Sequence, residues 1–417
     1  VDPVSQSRAA IAALYRADEA DCVKRLLPRA ELPRDAELRA GARARKLVEA
    51  VRRQERDAGG LEAFLQEFGL DTDEGVVLMC LAEAFLRIPD EETANLLIRD
   101  KIGGAAWEKH LGGSESLLVN ASTWALMLGG RVMRMRDASG SQPWQTVQKA
   151  VARAGEPVIR QAVNQAMRIM SRQFVMGRDI EQALTRARES DASGVRHSFD
   201  MLGEAALTAE DAEEYFDAYR SAIETIGSSN GESDDIFAAA SISVKLSALH
   251  PRFEFAKGAR LKEQLAPRLA ELAQAARQSG IGLTIDAEEA DRLEPTLDMF
   301  AELYGSPVVA GWEGLGLVVQ AYQKRAPAVI DWLAELARKG GRRIPVRLVK
   351  GAYWDSEIKR AQEHGLEGYP VYTRKAATDI SYVACARRLL NLGALVYPQF
   401  ATHNARTLAT VAELSGA

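Results

Sequence analysis

The sequence predicts an α/β protein, a (β/α)8 barrel preceded by an all-helical arm and a helical domain. Three observations predict it. After Gly194, short apolar runs rich in β-branched residues alternate with long amphipathic segments at a spacing of roughly 30–45 residues, the period of βα units that make a parallel sheet with helices outside. Polar residues collect at the C-terminal ends of these runs, where a barrel of this kind builds its site. The first strand-to-helix turn reads Asp200-Met201-Leu202-Gly203-Glu204-Ala205 where a doubly wound dinucleotide fold would carry Gly-x-Gly-x-x-Gly, and Gly314-Leu315-Gly316 lies before or within a strand.

In chain order, residues 1–60 form the arm. Ala and Leu are spaced among Arg and Glu at helical intervals, with breakers at Pro28 and Pro33. The segment is too polar to make a core alone and is expected to lie against another domain or subunit. Residues 61–193 read as a helical domain, with apolar faces at Leu78, Leu81 and Phe85 and again at Val158, Ile159, Val163, Met167 and Met170. Two apolar stretches there need a membrane test. Val76 to Ile88 is shorter than the roughly 20 residues a spanning helix requires, and Leu117 to Met135 carries Asn120, Gly129, Gly130 and Arg131, so both read as buried helices.

Residues 194–417 hold the barrel. Its strand runs are Arg196 to Leu202, Ser241 to Leu249, Gly282 to Glu288, Gly314 to Tyr322, Ile344 to Tyr353 and Leu395 to Asn404. A closed barrel of this class has eight strands, so the last two are expected beyond Ala417.

Composition narrows the function classes. Hydrophobic residues make up 47% and charged residues 27% of the 417, an ordinary globular balance. Fifty-three basic against 58 acidic residues give a net charge of -5, which offers no global field for a polyanion and leads to the expectation of no nucleic acid through this region. Cys22, Cys80 and Cys385 are scattered and odd in number, as in a reducing cytoplasm. The histidines, His110, His197, His250, His364 and His403, show no ligand spacing, so no metal is expected; His250 before Pro251 reads as a turn residue.

Candidate site residues follow from the strand ends. Lys245 stands among apolar neighbours, and a buried ammonium needs an anion. Asp286 is the candidate, although an Asp at that place also serves as a helix cap. Arg347, on the fifth strand, is either a charge partner inside the barrel or a cation placed to stabilise charge developing on a ligand. Gln320 offers amide groups at the end of the fourth strand. Val349 and the turn Lys350-Gly351-Ala352 follow the fifth, where glycine lets the backbone approach a phosphate. Tyr353 and Trp354 come next, Trp354 reading equally well as core. Thr373, Arg374 and Lys375 read either as an exposed helix start or as a cationic ligand site. Thr402, His403 and Asn404 end the sixth strand, and Glu288 and Glu289 read as first-turn helix residues.

Several segments occurring in order carry a more specific signal. Ser243-Val244-Lys245-Leu246-Ser247-Ala248-Leu249-His250-Pro251, Ile285-Asp286-Ala287-Glu288-Glu289, Gln320-Ala321-Tyr322-Gln323-Lys324-Arg325, Arg347-Leu348-Val349-Lys350-Gly351-Ala352-Tyr353-Trp354-Asp355 and Pro398-Gln399-Phe400-Ala401-Thr402-His403-Asn404 resemble the proline dehydrogenase motifs of bacterial proline utilization A. The likeness runs from about Gly60 to the end of the chain. It implies FAD-dependent oxidation of L-proline to Δ1-pyrroline-5-carboxylate, by hydride transfer to flavin N5. Lys245 would bind the substrate carboxylate, Asp286 would orient it beside the flavin, and Arg347 would approach N5. Tyr353 would face the substrate and Trp354 the adenine; Gln320, Val349, Lys350, Gly351, Ala352, Thr373, Arg374, Lys375, Thr402, His403 and Asn404 would hold FAD.

The resemblance also implies a quinone acceptor reached at a membrane surface, a cytoplasmic homo-oligomer, and an NAD-dependent aldehyde dehydrogenase domain outside these residues. The family's substrate-clamping arginine pair would lie in the last barrel helix, beyond Ala417. Two rival classes remain open on the residues themselves. A Schiff-base lyase or aldolase on the same barrel would use Lys245 or Lys350 and no flavin. A non-enzymatic scaffold or regulator would need neither.

Overall fold

A computed structural model of the chain describes residues 3–58, 175–190, 194–229 and 235–416. The apolar runs at Val76 to Ile88 and Leu117 to Met135, Cys80, and most of the 61–193 helical domain lie outside the described residues. The chain divides into two compact units, one of residues 1–47 and 188–417, the other of residues 48–187.

The first unit is built on a six-stranded sheet, all parallel, in the order β1 to β6: Ser198–Asp200, Ser241–Val244, Gly282–Ile285, Leu315–Gln320, Ile344–Val349 and Val396–Phe400. Sequential parallel pairing with helical crossovers is the β/α-barrel arrangement that the spacing of the apolar runs predicts. The central strands β3 and β4 are buried at every residue, as strands covered on both faces must be. Among the described residues β1 and β6 are the outer strands, and they are less buried.

Counting in chain order, the helices are α1 Pro3–Ala13, α2 Glu19–Ala30, α3 Arg34–Ala58, α4 Ile180–Ser190, α5 Ala209–Ser229, the single turn α6 Leu246–Leu249, α7 Gly258–Gln278, α8 Leu293–Gly305, α9 Ala326–Gly340, α10 Trp354–Glu363, α11 Lys375–Asn391 and α12 Ala405–Ser415. The long crossover helices bury apolar stripes. In α7 that stripe is Leu261, Leu265, Leu269, Leu272, Ala273 and Ala276, at intervals of three and four.

Residues of the first three helices pack on the crossover helices. Arg8 of α1 binds Glu294 at 2.8 Å and Asp298 at 2.6 Å, and lies over the Trp332 ring of α9. Leu26 and Cys22 of α2 share a core with Ala377 and Ala384 of α11 and with Tyr372. Ala40 and Ala44 of α3 close on Ala409 of α12 through small side chains. Cys22 and Cys385 are buried free thiols. In the second unit, α4 starts at an Asp179 cap, which accepts the Gln182 amide at 2.8 Å.

Candidate active site

The strand register brings the charged strand ends together. Val244 pairs with Ile285, so the residues one step beyond, Lys245 and Asp286, leave neighbouring strands side by side. Lys245 Nζ lies 2.8 Å from Asp286 Oδ2 and 3.0 Å from Asp200 Oδ1, the last residue of β1. The expected Lys245–Asp286 pair is therefore one of two ion pairs in a three-membered cluster. Burial works against the Lys245 ammonium, but Asp286 and Asp200 outweigh it and hold its pKa above the ordinary lysine value. Burial, with Asp286 beside it, pushes the Asp200 carboxyl up in spite of Lys245 and Arg347.

One layer deeper, Arg347 crosses the barrel interior. Its guanidinium donates to Ser243 Oγ at 2.7 Å, to Ser198 Oγ at 2.5 Å and to Gln399 Oε1 at 3.3 Å. Ser198 and Ser243 stand two residues before Asp200 and Lys245, on the same faces of β1 and β2, so this layer underlies the charged cluster. All three contacts are neutral oxygens. Desolvation lowers the pKa of Arg347, with Asp286 and Asp200 pulling the other way from a distance.

Above these layers opens a cavity of about 700 Å³. Asp200, Lys245, Asp286, Gln320, Val349, Lys350, Gly351, Ala352, Tyr353, Lys375, Thr402, His403 and Asn404 line it, with Glu204, Ala287, Val318 and Ala401. Its walls are fixed by particular bonds. Gln320 donates to Glu288 O at 2.8 Å. Gly351 has φ +137°, and a Cβ there would stand 2.4 Å from the Tyr322 ring, so only glycine lets the turn pass. Lys350 pairs with Asp379. Asn404 caps α12 through the Thr407 amide at 3.0 Å. Tyr353 donates its hydroxyl to Glu204 at 2.9 Å, and burial together with that carboxylate raises the phenol's pKa.

Other predicted residues stand apart from the cavity lining. Trp354 donates its indole N–H to Tyr372 O at 2.8 Å and is 40% exposed. The Thr373 amide and hydroxyl both donate to the Glu19 carboxylate of α2, at 2.9 and 3.2 Å. Arg374 is the exposed N-cap of α11 and makes no side-chain cap bond. Glu288 is not the first-turn residue its position suggests. It is 4% exposed, accepts the Ser247 amide at 3.0 Å and pairs with Arg292 at 2.7 Å. His250 is held in its turn by Gln264 and by the Arg252 amide.

Sequence reasoning missed Glu204, Ser198 and Ser243. Glu204 is presented by a tight turn in which Gly203 and Ala205 both have positive φ, the latter at 56°. That turn is clamped by Ser247, whose Oγ and carbonyl accept the Ala205 and Ala206 amides. Gly203 in the β1–α5 connection was the available signal. Among the described residues no cluster of His, Cys, Asp and Glu could hold a metal, and no helix is long and apolar enough to cross a membrane.

Fold and site together define a β/α-barrel protein with a charged ligand cavity at the C-terminal ends of its strands. Residues 183–417 match the family profile described as "Proline dehydrogenase", and residues 5–52 match "Proline utilization A proline dehydrogenase N-terminal domain". The chain belongs to the proline dehydrogenase family. It is 52% identical to "Bifunctional protein PutA" of Escherichia coli (strain K12) over 99% of its own length and 31% of that protein's, so it spans about a third of this relative. It is 28% identical to "Proline dehydrogenase 1" of Bacillus subtilis (strain 168), over 59% of this chain and 69% of that one. A crystal structure of a point mutant of Bradyrhizobium japonicum Proline Utilization A superposes with a TM-score of 0.70 at 49% identity, covering 96% of this chain and 40% of that one.

Residues 60–174 match a profile described as "DNA-binding domain of Proline dehydrogenase". This is at odds with the expectation of no nucleic acid through this region. That expectation rested on the charge balance of the whole chain, and such a sum does not resolve a local binding surface. The matched residues lie outside the described ones.

Proposed function

We propose that this chain carries a proline-oxidising site that converts L-proline to Δ1-pyrroline-5-carboxylate with FAD as the electron acceptor. The observation that carries the reading is the Asp200–Lys245–Asp286 cluster, set in one cavity with the Lys350-Gly351-Ala352 turn in a chain of this family.

The residues fit a flavin nucleotide. The backbone at Gly351 has the close approach that a phosphate or ring needs, and Arg347 holds a buried positive charge against neutral oxygens, which leaves that charge uncancelled by contact. Gln320, Val349, Lys350, Gly351 and Ala352 would line one side of the group, Lys375, Thr402, His403 and Asn404 another. Trp354 and the Thr373–Lys375 segment would reach its nucleotide end. Bound FAD supplies the two-electron acceptor. The chain's own residues do the rest. Lys245 spends two of its N–H groups on Asp200 and Asp286 and has one left for the substrate carboxylate. Asp286 and Asp200 fix its direction, Tyr353 stands at the wall, and Arg347 stabilises negative charge arriving above it.

The same reading makes the chain part of a longer, bifunctional, homo-oligomeric cytoplasmic protein, with an arm at 1–60, a helical domain at 61–193 and the barrel at 194–417. Electrons would pass to quinone at a membrane surface, and an NAD-dependent aldehyde dehydrogenase domain would take the product onward. What supports this part is the resemblance to the bifunctional relatives, of whose length this chain spans about a third.

The deciding measurement is the visible spectrum of the purified protein, anaerobically, before and after L-proline. Flavin bands that bleach with proline are expected; a colourless protein with no response would sink the reading. The lyase alternative is tested by borohydride in the presence of proline or its oxidised product. The masses of peptides bearing Lys245 and Lys350 should not change, because both lysines act as charges.

A further inference from the structure

We propose that Asp200 is the base of this site, taking the proton from the ring ammonium of the substrate before hydride leaves. The proposal rests on the proline-oxidising reading above and assigns a step that reading leaves open. Zwitterionic proline carries a secondary ammonium whose nitrogen has no lone pair. Loss of hydride from the adjacent carbon needs that pair to form C=N. One N–H bond must therefore break first, its electrons staying on nitrogen and its proton passing to a carboxylate. Hydride then leaves the ring carbon with two electrons for FAD, the nitrogen pair forms C=N, and the remaining N–H proton is lost to give the imine.

Three carboxylates line the cavity, and their bonding separates them. Asp286 has both oxygens engaged, Oδ2 with Lys245 at 2.8 Å and Oδ1 with the Ala287 amide at 2.9 Å, and its side chain is 20% exposed. Glu204 accepts the Tyr353 hydroxyl at 2.9 Å. Asp200 has Lys245 as its contact, at 3.0 and 3.3 Å, while its side chain is 52% exposed toward the cavity. Of the two carboxylates paired with Lys245, Asp200 is the more exposed and so the one with room for a donor.

Charge points the same way. Lys245, Asp200 and Asp286 sum to one negative charge, so the cluster attracts an ammonium, and a proton moved to Asp200 leaves the three neutral. The groups facing Asp200 are Lys245 after β2, Asp286 after β3 and Arg347 on β5, with Glu204 and Tyr353 in the cavity wall. Burial and Asp286 favour the protonated carboxyl, with Lys245 and Arg347 opposing them, so the group is drawn toward taking a proton.

The test compares the FAD-loaded protein carrying this chain with its Asp200→Asn and Asp200→Glu variants. Flavin reduction by proline in the parent tests the underlying reading; the pattern in the variants tests Asp200. The parent's kcat/KM should rise with pH as Asp200 ionises and reach a plateau where the zwitterion is used directly. Asp200→Asn should lose about 10²–10⁴-fold on that plateau. It should then recover about tenfold per pH unit, since it depends on free amine from solution. Asp200→Glu should restore a plateau. A deficit that stays constant with pH, or a plateau that survives in Asp200→Asn, would overturn the assignment.

A second readout needs no turnover. Asp200→Asn should weaken binding of 5,5-dimethylproline, which keeps the ammonium but has no hydrogen on that carbon, by about tenfold or more, the scale of one hydrogen bond to a charged group. It should leave binding of the ring-oxygen analogue of proline within about twofold. Equal losses for both would show that Asp200 acts only through Lys245.

Discussion

Two buried arginines, Arg325 and Arg347, separate structural charge from charge available to a ligand. Arg325 is 2% exposed and sealed on every side. It donates to Ala290 O and to Gln323 Oε1, lies 3.8 Å from Glu294, and is covered by the Tyr15 ring of the arm at 4.5 Å. Burial lowers its pKa to about 10, with Glu294 and Tyr15 opposing the fall. Arg347 is also desolvated, and its pKa also falls. Its partners, however, are two hydroxyls and an amide, and they stand one residue layer below an open cavity. Desolvation of a cation therefore does not mark a site by itself. What marks it is a charge left uncancelled by its contacts, with space for a ligand nearby.

The comparison breaks first at Arg325. Replacing it with Met removes the donors to Ala290 O and Gln323 Oε1 while Glu294 keeps Arg8, so stability should fall by about 2–4 kcal/mol, read from denaturant midpoints, with correspondingly less FAD-loaded protein. A change under about 1 kcal/mol would mean that the covering by Tyr15 contributes little. Arg347→Met should show the opposite profile. The serines and Gln399 lose neutral-acceptor bonds only, and stability should change by less than about 2 kcal/mol. Reduction by proline should slow about 10²–10³-fold and the flavin potential should move down, as expected when a cation stops stabilising arriving charge. Unchanged potential with slowed reduction would confine Arg347 to holding β1, β2 and β6 together.

The two arginines were unequally legible in the sequence. Arg347 stands in a short apolar run rich in β-branched residues, and the polar ends of six such runs predicted the barrel and put Lys245 next to Asp286. Its partners were not legible, because Ser198 and Ser243 become neighbours of Arg347 only once inward faces and register are known. Arg325 carried no periodic signal of burial. Its cover comes from Tyr15, some three hundred positions earlier, just as Thr373 is held by Glu19. Long-range contacts of this kind leave no local trace. The turn that presents Glu204 left one, in Gly203.

The smallest effect is expected at Glu288, whose place between the two patterns is decided by pH. Burial raises its carboxyl pKa above the ordinary value of 4.5, although the Ser247 amide and Arg292 pull it down. A raised carboxyl means that the folded state binds more proton than the unfolded chain between the two values. The group's contribution is thus most favourable below the unfolded pKa and shrinks as pH climbs to the folded one, then stays level. Asp379 runs in the opposite sense. Burial opposes its ionisation, but Lys350 and Lys375 hold it below the usual range, so its contribution is lost as pH falls through the lowered value. In Glu288→Gln the slope that belongs to Glu288 should vanish. The variant's stability relative to the parent should climb as pH rises above the ordinary carboxyl value, then level off. Urea midpoints measured at closely spaced pH values read that curve directly. A relative stability that falls with rising pH would mean that Arg292 and Ser247 outweigh burial, and Glu288 would then be a compensated structural ion.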